Sequence, residues 1–363
     1  MSAWSALGLL SRGRLATALA SFIGSLSICG AAPAQHRPSP APEATCGGCH
    51  AKVANLYAHA PMRNAMQEPG SNPALDAHPN LTVHQNGYSY AVQTRNGKST
   101  YTISDSTGSL TLDIHWIFGM HSQTWVLEKD GQFYESMVSY FARGQVLSTT
   151  PGDDQIVPHT LDEAIGRKLS IWELPNCINC HATGFDRNQK PAAQKLTPGL
   201  NCERCHAGSA EHMADALDGD FSTAPRSLKE MDAGEAANFC GQCHRTWDKV
   251  VREGWHGPPT VRFQPYRLEN SKCFDTRDRR ISCLTCHDPH QEVTHNEAFY
   301  DTKCLACHSP AASSASAARP KSCPTAKDKC VSCHMPRVEL AGGHAVFTDH
   351  QIRIVRPGEP YPN

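Results

Sequence analysis

The chain has 363 residues, with 39% hydrophobic and only 7% aromatic side chains. That length allows two ordinary domains, but the apolar supply is thin for a core of that size. The formal net charge of −1 excludes the basic footprint of a nucleic-acid-binding surface.

Residues 1–34 read as a secretory signal. Arg12 and Arg14 give a positive start, Leu15 to Ile28 an apolar run, and Ala32-Pro33-Ala34 a small-residue cleavage site. The run is short for a membrane span, and no later stretch is apolar enough to cross one. Residues 35–80 form the next segment, a Pro-rich lead-in followed by Cys46-Gly-Gly-Cys49-His50. Ala51–Met66 has helix-forming content, and Gly70 to Pro79 reads as a loop.

The pattern at Cys46 is C-x-x-C-H, and it occurs seven times: Cys46–His50, Cys177–His181, Cys202–His206, Cys240–His244, Cys283–His287, Cys304–His308 and Cys330–His334. It is the attachment motif of a c-type haem. The thiols of Cys46, Cys49, Cys177, Cys180, Cys202, Cys205, Cys240, Cys243, Cys283, Cys286, Cys304, Cys307, Cys330 and Cys333 are expected to bond haem vinyl groups. The adjacent His50, His181, His206, His244, His287, His308 and His334 then become proximal iron ligands. Half a zinc site or a redox dithiol is a poor alternative, because neither needs a histidine directly after the second cysteine in every copy. Seven covalently bound haem c groups also answer the thin apolar composition, since each is a large flat body that can serve as core. Such a chain should fold around its cofactors. Attachment of c-type haem outside the cytoplasm fits the signal sequence, so a periplasmic or extracellular protein is expected.

Residues 81–150 contain no cysteine and alternate in hydrophobicity. Tyr88–Thr94 and Ser99–Ile103 flank an Asn96-Gly97 turn, and Asp130-Gly131 repeats the logic, so a small antiparallel β module is predicted here. Its simplest role is cover for one haem face. The first motif, separated from the rest by this module, is expected at one end of the haem series.

Residues 151–363 hold the other six motifs. Leu161–Leu169 reads as a helix. Successive proximal histidines are then 25, 38, 43, 21 and 26 residues apart, too irregular for a solenoid. Short helices and Pro/Gly-rich loops are expected between them, with a low-complexity loop at 310–322 and an extended strap after Ile352. The fold class is therefore mainly α with much irregular structure, packed on haem, plus the β module.

The second axial ligands separate electron transfer from catalysis, because six-coordinate bis-histidine iron favours outer-sphere transfer and an open position allows substrate binding. His290 follows His287 so closely that it cannot reach the far face of its own haem, so it is expected to serve a neighbour. The same reasoning applies to His212 after His206 and His59 after His50, while His344 and His350 follow the last motif. These five are the candidate distal ligands. His256 is a further one, and His115, His121, His159 and His295 stay open. Met62, Met120 and Met213 are the conceivable thioether ligands. Arg262-Phe-Gln-Pro-Tyr-Arg267 offers two arginines, for haem propionates or for the polar wall of an open site. Cys273 and Cys323 remain over in the mature chain, and a disulfide between them is one reading.

Three segments carry a family resemblance: Gly199-Leu-Asn-Cys-Glu-Arg-Cys-His-Ala-Gly-Ser-Ala-Glu-His212, Ser282-Cys-Leu-Thr-Cys-His-Asp-Pro-His290, and Cys330-Val-Ser-Cys-His-Met-Pro-Arg337 with the later Thr348-Asp-His-Gln-Ile-Arg353. They resemble the multihaem cytochrome c superfamily of the tetrahaem c-552/c-554 proteins, distantly related to hydroxylamine oxidoreductase. Trp116-Ile-Phe-Gly119 and Arg262–Arg267 resemble secreted members. The resemblance implies a haem-packed fold and respiratory electron transfer with redox partner proteins, either donor and acceptor cytochromes or quinol-linked complexes. Ala207-Gly-Ser departs from the Gly-Pro-Gly of many relatives, and seven motifs match neither four nor eight. The alternative function is a multihaem oxidoreductase with one five-coordinate haem acting on a small nitrogen or sulfur compound.

Overall fold

The computed structural model describes residues 43–186, 188, 196–309 and 323–362. The signal sequence, Cys29, the start of the Pro-rich lead-in and the stretch 310–322 lie outside these residues.

A ten-stranded antiparallel sheet forms the largest element. Its strands are Met66–Gln67 (β1), Asn80–Gln85 (β2), Tyr88–Arg95 (β3), Lys98–Ser104 (β4), Ser109–Phe118 (β5), Ser122–Lys129 (β6), Gln132–Ser136 (β7), Val138–Phe141 (β8), Val146–Thr149 (β9) and Gly166–Lys168 (β10). The order runs β10-β7-β6-β5-β4-β3-β2, with β1 on β5 and β8 bridging β6 and β9. The sheet curls, so that Thr149 Oγ1 at the end of β9 donates to Gln85 Oε1 on β2 at 3.3 Å.

Three two-residue turns set the register of the hairpins. Asn86-Gly87, Asn96-Gly97 and Asp130-Gly131 all have positive φ at both residues, the type I′ geometry whose twist matches the flanking strands. Alternation then buries Tyr88, Tyr90, Val92 and Thr94 on β3, and Ser99, Tyr101 and Ile103 on β4. The rings of Tyr88, Tyr90, Tyr101 and Trp125 run in contact through this core, with successive centroids 6.5, 6.0 and 5.9 Å apart.

The sheet reaches beyond the stretch predicted for it. Helix makes up 33% and strand 23%, so strand is a major component. The helix expected over Leu161–Leu169 is a single 3₁₀ turn, Glu163–Ile165, followed by β10. Gly166 explains the difference. At φ 131° it packs so closely on β7 that a Cβ there would lie 2.1 Å from the Glu135 carbonyl oxygen, so the residue favours strand pairing over helix. Likewise, the helix expected over Ala51–Met66 ends at Tyr57, and the Gly70–Pro79 loop contains a short helix, Pro73–Ala77.

The remaining described chain is short helices and two two-stranded ladders, Ala182–Thr183 with Thr197–Pro198 and Arg337–Glu339 with Val346–Thr348, joined by irregular segments. The longest described helices, Ala233–His244 and Glu297–His308, have 12 residues each, marginal without tertiary support. A second apolar cluster joins the sheet to the helix Glu173–His181 through Met66, Trp116 and Val126 against Leu174, Ile178 and Ala182. Beyond it, the buried apolar cluster of the helical part is Val250, Phe263 and Tyr266. Protein side chains of that extent do not make a core for a region of this size.

Candidate haem-binding site

Each C-x-x-C-H segment sits on a helical turn: within Glu43–Cys49, Glu173–His181, Cys202–Cys205, Ala233–His244, Cys283–Cys286, Glu297–His308 and Cys330–His334. Residues three apart on a helix share a face, so each pair of thiols points the same way, with the histidine at or just past the helix end. Among the described residues no group of three or more His, Cys, Asp or Glu side chains could hold a bare metal ion. The cysteine pairs therefore do not converge on tetrahedral zinc sites.

The fit to haem is tested by the imidazoles. His50 faces His212 with ring centroids 6.4 Å apart, His206 faces His290 at 6.0 Å with planes 9° apart, and His287 faces His350 at 6.1 Å. Two imidazoles sharing one metal ion, each bound at about 2 Å through a nitrogen about 1.1 Å from its ring centre, stand about 6.2 Å apart. The three pairs match that spacing. His290, His212 and His350 each lie in the segment after a different motif, and each faces the histidine of an earlier one.

The far nitrogen of these rings is fixed as a metal ligand requires. The Nδ1–H of His212 donates to the Thr223 carbonyl at 2.8 Å, and that of His350 to the Thr348 carbonyl at 2.9 Å. His290 Nδ1 differs, standing 2.9 Å from the Asp288 carboxylate. Two motif histidines are held the same way: His181 by the Ala65 carbonyl at 2.8 Å and His334 by the Arg353 carbonyl at 2.9 Å. Each bond leaves Nε2 as the free lone pair. Burial pushes the imidazole pKa down at His181, His206, His244 and His287, and at His350 to about 4. All five are neutral at pH 7, the form that coordinates metal.

Thiols of different motifs also meet. Cys180 is in hydrogen-bond contact with Cys243, Cys240 with Cys283, and Cys304 with Cys330. The second motif thus lies beside the fourth, the fourth beside the fifth, and the sixth beside the seventh. Burial raises the thiols of Cys177, to about 11, and of Cys205 and Cys286, which keeps them protonated.

The family described as cytochrome c554 and c-prime matches residues 157–207, the span of the second and third motifs. The solved structure of the outer cell wall cytochrome OcwA superposes with a TM-score of 0.52 at 17% identity, covering 86% of this chain and 79% of that one. By motif and by fold, the chain resembles multihaem c-type cytochromes. No curated protein matches it.

Not every candidate in this chain takes part in the pairing. His59 is exposed, and His344 packs on Phe141 at 4.7 Å. Neither faces a motif histidine among the described residues. His256 is exposed, with Nδ1 on the Gly254 carbonyl at 2.8 Å. Nor is the first motif set apart by the sheet. Tyr57 donates to the Leu200 carbonyl at 2.7 Å, Leu200 N–H to the Met62 carbonyl at 3.1 Å, and Gly199 packs on Arg63, so the first motif lies against the third. The sheet instead reaches the second motif. Phe118 of β5 packs on His181 at 4.9 Å, and Ala65, whose carbonyl orients that ring, also accepts from Gly119 N–H at 2.9 Å.

His244 opens on a cavity of about 520 Å³ lined by Arg245, Arg262, Arg167, Asp153 and Trp255. No second imidazole packs against His244 among the described residues. Asp153 is buried, its Oδ2 has no hydrogen-bond partner there, and burial raises its pKa to about 6. Arg267, by contrast, is fully buried against Asp349. Cys273 and Cys323 are free and exposed, not bonded to each other. Asp288 and the Arg267–Asp349 pair were missed in the sequence. The first could have been found from its place in Cys-His-Asp-Pro-His, while the second joins distant segments and gives no local signal.

Proposed function

We propose that the chain is an exported heptahaem cytochrome that carries electrons. The observation that carries this reading is the set of three facing imidazole pairs at single-metal spacing. Haem c bound at the seven motifs supplies one-electron redox chemistry, and iron between two imidazoles is six-coordinate and suited to outer-sphere transfer.

In this reading His50 and His212 hold the first iron, His206 and His290 the third, and His287 and His350 the fifth. The fourteen motif cysteines anchor the porphyrins, and the carbonyls of Thr223 and Thr348 and the Asp288 carboxylate fix the distal rings. The later motif segments cap earlier ones, so seventh, fifth, third and first are tied in series. The thiol contacts tie the second, fourth, fifth, sixth and seventh side by side. The sheet covers the second motif. His59 and His344 remain candidate ligands for the other irons.

Residues 1–34 are read as the export signal, 35–80 as the first haem segment, 81–150 as the β module and 151–363 as the six-haem segment. Among the described residues no helix is long and apolar enough to cross a membrane. The partners are donor and acceptor cytochromes or a quinol-linked complex, met by cationic patches on the acidic haem edges.

Pyridine haemochrome analysis and coulometry of the purified protein test the reading. Seven haems and seven electrons per chain are expected. Fewer haems, or irons that do not reduce, overturn it.

A second reading, an oxidoreductase acting on a small nitrogen or sulfur compound, is favoured by the cavity at His244 with its arginines and buried Asp153. It requires one high-spin iron whose spectrum shifts with nitrite, hydroxylamine or carbon monoxide. Loss of that shift in Arg262→Ala would place the substrate there.

A further inference from the structure

The segment Thr348–Arg353 is nearly all outside helix or sheet, yet it carries His350, whose ring faces His287, and the Arg353 carbonyl that orients His334. Irregular backbone does not hold an imbedded imidazole in one orientation without side chains to fix it. Here the fixing comes from one buried ion pair. Arg267, on the helix Gln264–Glu269, donates Nε to Asp349 Oδ1 at 2.9 Å and Nη2 to Oδ2 at 3.0 Å. Both side chains are fully buried, and the two parallel bonds set angle as well as distance.

Four of the five guanidinium N–H groups are used in hydrogen bonds to this segment and the chain end. Nη2 also donates to Gln351 Oε1 at 2.7 Å, Nη1 to the Pro362 carbonyl at 2.9 Å, and the Tyr361 ring lies 4.5 Å from it. Asp349 further accepts from Arg353 Nη1 at 2.6 Å and from Gln351 N–H at 3.1 Å. Arg267 therefore grips the residues on both sides of His350. Ser271 closes the grip by accepting from Ile352 N–H at 2.8 Å. Removing the Asp349 charge leaves Arg267 as an uncompensated buried cation, so the segment must shift.

We propose that Arg267 and Asp349 are a positioning pair whose task is to present His350 to the iron held by His287. The proposal rests on the reading of His350 as a distal ligand, and the test separates the two.

The full-length loaded protein is compared with His350→Ala and Asp349→Asn by pyridine haemochrome and electron paramagnetic resonance. His350→Ala is expected to convert one low-spin haem per chain to high-spin. Asp349→Asn keeps the shape of the side chain and should keep the haem count of the parent. It should show the same high-spin signal, reversed to low-spin by added imidazole. Unchanged low-spin signals from the other haems mark a single displaced ligand, because a globally disordered chain would lose those as well. A parent spectrum in Asp349→Asn together with a high-spin signal in His350→Ala overturns the positioning role. A parent spectrum in His350→Ala overturns the ligand reading beneath it. Should Asp349→Asn load incompletely, Gln351→Ala, which removes one acceptor of Arg267, is read the same way. A smaller imidazole-reversible high-spin fraction is expected, and an unchanged spectrum overturns the proposal.

Discussion

Asp288 distinguishes one of the three imidazole pairs from the others. His212 and His350 donate Nδ1–H to carbonyls, whereas His290 Nδ1 faces a carboxylate. The negative charge favours ferric over ferrous iron, so Asp288→Asn is expected to raise the potential of the haem proposed to lie between His206 and His290. The point midway between those rings is half of 6.0 Å from the His290 centroid, and the carboxylate lies 2.9 Å beyond Nδ1. The charge is then about 7 Å from the iron position. The Asp288 side chain is 45% exposed, so an effective dielectric of about 40, between surface-pair and bulk values, gives about 1.2 kcal/mol. For one electron that is about 50 mV. Potentiometric titration followed by paramagnetic resonance reads each low-spin signal separately. One signal should move up by about that amount, less at high salt, while the other two bis-imidazole signals stay in place. An unchanged or lowered potential, or a shift shared equally by all three, refutes the reasoning.

Further predictions concern stability. Asp153 has its pKa raised from 3.8 to about 6 by burial and by Glu135. Its contribution is present below pH 4 and is lost as pH rises through 6, an upper bound of about 3 kcal/mol. Asp153→Asn should therefore match the parent in urea denaturation at pH 4 and exceed it at pH 7.5; a difference independent of pH contradicts this. Gly199→Ala puts a Cβ 1.8 Å from the Arg63 carbonyl oxygen at φ 76°. The left-handed conformation alone costs about 1–2 kcal/mol, so a loss of at least about 2 kcal/mol is expected, read as a lower melting temperature and faster proteolysis between residues 57 and 66. Asp232→Ala breaks the capping box on the helix that carries the fourth motif and should cost about 1 kcal/mol, seen as a lower melting temperature with haem content unchanged.

Local chemistry was legible in the sequence and long-range chemistry was not. The C-x-x-C-H motifs and the Asn96-Gly97 and Asp130-Gly131 turns announce themselves because each is complete within a few residues. Leu161–Leu169 misleads because its helical composition is overridden by Gly166 packing against β7. Spacing pointed to His59, His212, His290, His344 and His350, and which of them faces which motif histidine is settled by segments that meet only after folding. The same holds for Arg267, whose partner Asp349 is 82 residues away. Its place beside Arg262 suggested a shared role in haem contact, yet one lines the His244 cavity and the other is locked inside the protein. Composition alone pointed to a missing core, and the three-residue apolar cluster of the helical part shows where it is missing.

Three histidine pairs are proposed each to share an iron atom. Anomalous diffraction at the iron edge from crystals of the loaded protein tests this directly. Seven iron peaks are expected, with one between His50 and His212, one between His206 and His290, and one between His287 and His350. Iron lying elsewhere, with those rings still facing each other across an iron-free gap, would contradict it.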